Sequence, residues 1–136
     1  MTREELLATL YSDGTSRNAL GNLLGAYFNN DWDVDVKDEL GVDIKQLDPG
    51  AWKHVVTIYV RENKELARKA ADEIDQLLGS GMRDEDLEWL VKELHTDFVP
   101  RPKHIENPEF KTTHEGFEAL RDELRRQVSD LENSQK

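Results

Sequence analysis

The sequence predicts an all-α, single-domain helical bundle of about five to six helices with one long loop near residues 96–111. Three observations carry that expectation. Apolar residues recur at i, i+3, i+4 and i+7 over most segments, the spacing of one buried helix face. Helix starts and stops are written in the chain, in Thr2-x-x-Glu5, Thr112-x-x-Glu115 and Gly79-Ser80-Gly81. The 136 residues make one domain's length, enough to bury roughly two-thirds of the unfolded surface.

Thr2-x-x-Glu5 is a capping-box pattern that opens a first helix with Leu6, Leu7, Leu10 and Tyr11 on its apolar face. Ser12-Asp13-Gly14 ends it, and Thr15 or Ser16 can cap a second helix running to about Phe28. Leu20, Leu23, Leu24, Tyr27 and Phe28 form that helix's apolar face, and Gly21 and Gly25 suggest close helix approach. From Asn29 to Gly50 the chain reads as irregular, with one short turn at Asp43 to Leu47.

Asp48-Pro49 is a good helix start, with Asp as cap and Pro at the first helical position. The following run, AWKHVVTIYV, fits a helix face through Trp52, Val55, Val56, Tyr59 and Val60. It also alternates as a strand would at Val56, Ile58 and Val60, and β-branched residues favour that state. Asn63 can cap the next helix, whose inner face is Leu66, Ala70, Ile74, Leu77 and Leu78. Gly79 is placed for a left-handed C-terminal residue. Asp84 is expected to cap a helix facing inward through Leu87, Leu90, Val91 and Leu94.

Thr96 to Lys111 contains Pro100, Pro102 and Pro108 and has no periodicity, so it reads as a long loop. Thr112-x-x-Glu115 opens the last helix, with Phe117, Leu120, Leu124, Val128 and Leu131 on one stripe. The tail from Asn133 to Lys136 is expected to fray.

Charged residues make up 35% of the chain and the net charge is −11. Such a charge repels phosphate backbones and anionic lipid, so neither nucleic acid nor membrane is an expected partner. A basic protein is the natural complement. There is no cysteine, which removes disulfides and thiolate metal sites. The start MTREELL is charged where a signal peptide would be hydrophobic, and the expected location is the cytoplasm.

The stretch LGNLLGAYFNNDWDVD, Leu20 to Asp35, joins an aromatic helix end to an acidic segment. Within it, Tyr27-Phe28-x-x-Asp31-Trp32-Asp33 resembles the signature of a family of bacterial contact-dependent growth inhibition (CDI) immunity proteins. EIDQLL (Glu73 to Leu78) and the acid-started helix from Asp84 to Leu94 continue the resemblance in the same order. It covers roughly residues 20–95, and the last helix loosely. Asn29-Asn30 stand where that family commonly has histidine and glutamine, and the segment after Leu94 is long. The resemblance implies a small helical protein that binds and neutralises the toxic C-terminal domain of a cognate exoprotein. It also favours the helical reading of AWKHVVTIYV.

Other chemistries find poor support in the residues. Asp31-x-Asp33-x-Asp35 copies three ligand positions of an EF-hand loop, but Val36 stands at the sharp turn and Val42 at the bidentate position. His54, His95, His104 and His114 are scattered, and the position four after His114 is Glu118 rather than a second His. No serine sits in a G-x-S-x-G elbow, and Gly79-Ser80-Gly81 lacks the lysine of a phosphate loop. The chain therefore reads as a binding protein rather than an enzyme, with no cofactor.

Asp31, Asp33, Asp35, Asp38 and Glu39 place five carboxylates within nine positions. If the aspartates alternate outward while Trp32 turns inward, they form one negative ridge, the expected toxin-binding site, joined by Glu106 and Glu109 of the loop. Tyr27, Phe28 and Trp32 are expected to be core rather than contact residues. Asp31 and Asp33 could instead act as local backbone caps. The expected partner is a basic toxin domain, a nuclease in the preferred version, occluded one to one. The competing readings are an acidic helical adaptor that inhibits nothing and, less favoured, a calcium-responsive sensor.

Overall fold

The computed structural model describes residues 2–10, 19–29, 31–45, 50–94, 96, 98 and 110–134. Their elements are α1 (Arg3–Leu10), α2 (Ala19–Asn22) continued by a π-helical turn (Leu23–Tyr27), α3 (Trp32–Leu40), α4 (Trp52–Glu62), α5 (Lys64–Leu78), α6 (Asp84–Glu93) and α7 (Thr113–Ser134). No strand occurs among the described residues, so the protein is all-α. The Ser12–Gly14 stop, the Thr15 or Ser16 cap, the Asp48-Pro49 start and the loop prolines lie outside the described residues, as do Glu106 and Glu109.

The two capping boxes form, with one variation. Thr2 Oγ1 accepts from the Glu5 N–H at 3.1 Å, and Glu5 Oε1 accepts in return from the Thr2 N–H at 3.4 Å. Thr112 Oγ1 likewise accepts from the Glu115 N–H at 3.0 Å, but Glu115 reaches back one residue further, to the Lys111 N–H at 2.9 Å. Asn63 separates α4 from α5 and caps the latter, its side chain accepting from the Leu66 N–H at 3.1 Å.

Three local expectations are corrected. The irregular stretch from Asn29 to Gly50 contains helix α3, because Trp32, Val36 and Leu40 form an i, i+4, i+8 row that buries against α4. Gly41 stops α3 in the left-handed region at φ +70°, its N–H bonded to the Lys37 carbonyl at 2.9 Å. Gly79 is right-handed at φ −81°, and the left-handed residue after α5 is Gly81 at φ +80°. Asp84 is the first residue of α6 rather than its cap. The Arg83 N–H donates instead to Asp86 Oδ2 at 3.1 Å, while Asp84 Oδ1 accepts from the His114 N–H at 2.8 Å and so caps α7.

α5 and α7 form the central pair. Their ion pairs run in reverse register, Arg68 to Glu132, Arg125 to Asp72 and Arg121 to Asp75, so the helices are antiparallel. Small buried residues on α5, Ala67, Ala70 and Ala71, allow its neighbours to approach closely. α2 packs on α5, α4 bridges α5, α7 and α3, and α6 and α1 close the far side. Leu20, Leu24, Tyr59, Ile74, Leu87, Leu120 and Leu124 fill the interior. AWKHVVTIYV is helical, with Val55, Val56, Ile58, Tyr59 and Val60 all buried. Phe98, from the segment read as loop, is a core residue with rings of Phe28, Trp52 and Phe117 around it at 5.1, 6.1 and 6.0 Å.

A candidate partner-binding face on helix α3

The acidic segment begins where α2 loosens. Its last turn is π-helical, and the Phe28 N–H reaches the Leu23 carbonyl five residues back at 3.1 Å. Asn29 then joins this turn to α3. Its amide nitrogen donates to the Ala26 carbonyl and to Asp35 Oδ2, both at 3.0 Å, and its amide oxygen accepts from the Asp31 N–H at 2.8 Å. The local capping foreseen for Asp31 is thus supplied by Asn29, since Asp31, at the N-cap of α3, makes no side-chain cap bond.

Trp32 fixes the helix to the body. It is 3% exposed and meets Phe28 edge-on at 6.1 Å, with Val36 fully buried one turn later. Phe28 is fully buried, and Tyr27 is half-buried. Tyr27 lies edge-on to Tyr59 at 4.7 Å, and its hydroxyl donates to Glu62 on α4. Burial, the bond to Glu62 and that carboxylate's charge push the Tyr27 phenol up to about 12. The Tyr59 hydroxyl, raised further by burial, donates to the Ala19 carbonyl at 2.8 Å. These contacts tie the end of the π-helical turn and the start of α2 to α4.

Helical spacing, not alternation, distributes the carboxylates. At about 100° per residue, Asp31, Asp35 and Asp38 fall on one outward stripe with Glu39 beside it. All four are exposed. Asp33 falls on the other flank, next to the inward row, and is half-buried. Val34, 51% exposed, stands near the stripe and is the exposed large apolar side chain among the described residues. Sequence reading overlooked Val34. Its signal was present, since position 34 falls outside the Trp32, Val36, Leu40 row once the segment is read as a helix.

Such a face can accept hydrogen bonds from cationic side chains on a rigid support. Among the described residues, no group of three or more His, Asp and Glu side chains is arranged to hold a metal ion. His114 pairs with Glu118 at 2.7 Å, one turn along α7.

The family model described as CdiI immunity protein matches residues 16–124, from before α2 into the middle of α7. The chain belongs to this family. No curated protein and no solved structure matches it. As a CdiI family member, the protein has an immunity role in contact-dependent growth inhibition, with a cognate toxin as partner. The matched span contains the π-helical turn, α3 and the whole aromatic cluster, but not α1. No helix among the described residues is long and apolar enough to cross a membrane.

Proposed function

We propose that this CdiI family protein binds the toxic C-terminal domain of its cognate exoprotein one to one in the cytoplasm. It acts by occlusion, without turnover, and the toxin is a basic nuclease. The family match over residues 16–124 carries the reading. Charge supports the finer version. A chain of net charge −11 is repelled by nucleic acid but attracted to a protein that must bind it.

The contact face in this reading is the outward stripe of α3, Asp31, Asp35, Asp38 and Glu39, with Val34 beside it, and Asp33, on the other flank, is at most a peripheral contact. Two features support it: a buried indole that keeps the helix rigid, and an exposed apolar side chain with Asp31 and Asp38 one turn to either side. Interfaces of this kind combine an apolar centre with a charged rim that steers encounter. Glu106 and Glu109 are proposed as a second, outlying contact.

Co-expression with the cognate toxic domain tests the function. The cells survive, the two proteins co-purify in equal amounts, and nuclease activity falls in proportion to added inhibitor. Death of the co-expressing cells would sink the immunity reading. A neutralised toxin that cleaves no nucleic acid would remove only its nuclease part.

A further inference from the structure

On the side of the molecule built from α4 and α7 lies a cleft of about 480 Å³, a ligand-sized volume. Its charge is opposite to that of the rest of the protein. Lys53, Arg61 and Arg126 line it against two carboxylates, Glu123 and Asp130, in a chain whose net charge is −11.

The cations are not equally engaged. Arg126 is committed: it forks onto Glu123, with Nε to Oε1 at 3.1 Å, and its Nη1 donates to Asp130 at 2.9 Å. Gln127 completes the floor, donating to Glu123 Oε2 at 2.8 Å and to the Lys53 carbonyl at 3.1 Å. Thr57 donates to Gln127 Oε1 at 2.7 Å. This network occupies Glu123 and leaves Lys53 and Arg61 exposed, Lys53 with its ammonium 5.8 Å from the Trp52 ring centre and Arg61 in no ion pair among the described residues. The two stand eight residues apart on one stripe of α4, about 12 Å along the axis. Val60 and the half-buried Leu131 also line the cleft and give it apolar surface.

We propose that this cleft binds a short acidic and apolar polypeptide segment, with two carboxylates meeting Lys53 and Arg61 and an aliphatic side chain lying against Val60 and Leu131. The spacing suits carboxylates at i and i+4 of an extended segment, four steps of roughly 3.3 Å that leave both on one face. A polyphosphate backbone fits less well, because it carries a charge at every unit, which Glu123 and Asp130 repel, and has no aliphatic group to set against Val60 and Leu131. The proposal stands apart from the toxin reading, since it concerns the other charge sign and a different pair of helices.

Titration of the intact protein with Ac-Glu-Ser-Leu-Ser-Glu-NH2, whose two carboxylates and leucine share one face when extended, followed by amide chemical shifts, tests it. Saturable shifts are expected along α4 and α7 and not on α3. Ac-Gln-Ser-Leu-Ser-Gln-NH2 should bind more weakly, and Lys53→Ala and Arg61→Ala should each weaken the acidic peptide about two- to fivefold. Both side chains are exposed, so the variants remain folded, as their unperturbed spectra would confirm. Equal binding of the two peptides, shifts on α3 instead, or tighter binding of a hexathymidylate strand would each overturn the proposal.

Discussion

Glu123 is 7% exposed, and a carboxylate in such a position depends on its partners. Burial alone would raise its pKa, but the bonds from Arg126 and Gln127 and the charges of Arg126 and Lys53 outweigh that and hold it below the ordinary glutamate value. Its stabilising contribution is therefore complete above that value and is lost as pH falls through the lower, folded-state value. Glu123→Gln should cost about 1–2 kcal/mol at pH 7 in urea unfolding, and the difference should shrink under acid conditions. Glu73 carries the opposite sign. Its Oε1 accepts from the Ala19 N–H at 3.0 Å, while its buried Oε2 has no partner, and burial raises its pKa. Stability held by its protonated form is lost as pH rises above the ordinary glutamate value. Glu73→Gln keeps an acceptor for Ala19, so it should gain on the wild type between acid and neutral pH. Parallel pH slopes for the two variants would refute this assignment. Phe28 and Val34 give a contrast in packing. Phe28→Ala should cost about 3–5 kcal/mol, whereas Val34→Ala should stay within about 0.5 kcal/mol in thermal melts.

Helix α3 is short and built from poor helix formers, aspartate and valine, so its ends matter. Gly41 adopts φ +70°, and nothing lies within 4 Å of the position a Cβ would take. The cost of Gly41→Ala is then conformational rather than steric. It should be about 1–2 kcal/mol, with hydrogen exchange rising first in the last turn of α3. A second element-level prediction concerns the cap lent by one helix to another. Asp84→Ala should cost about 1 kcal/mol and fray the start of α7, leaving the start of α6 intact because Asp86 caps it. Exchange protection lost at Arg83 to Leu87 instead would show that Asp84 serves its own helix.

For the whole molecule, the strongest lever is charge. If the toxin docks on α3, replacing Asp31, Asp35, Asp38 and Glu39 with their amides should slow association about tenfold or more at low salt and flatten its salt dependence. Asp33→Asn alone, on the far flank of the helix, should change association little. Stopped-flow kinetics over a salt series reads both. Unchanged rates in the fourfold variant would move the contact off α3. Such steering does not depend on how the core is packed, so these variants should melt close to the wild type.

Much of this was legible along the chain. Periodicity set the faces of α4, α5, α6 and α7, and Thr2, Asn63 and Thr112 marked helix starts, because both signals are local hydrogen bonding and local burial. The immunity family was legible too, from Tyr27, Phe28, Asp31, Trp32 and Asp33 and from EIDQLL. Helix α3 was not, since low propensity and alternating aspartates hid an inward row of three residues that pays off only against α4. The sequence by itself determined an all-α chain with an aromatic signature and a strong negative charge, each a property of neighbours in sequence. Tertiary structure alone decided that the carboxylates form a helical stripe, that Asp84 caps α7 and that Phe98 joins the core. It also decided that a positive cleft opens between α4 and α7. Each of these depends on packing or bonding between residues far apart in the chain, where burial and hydrogen bonding override local preference.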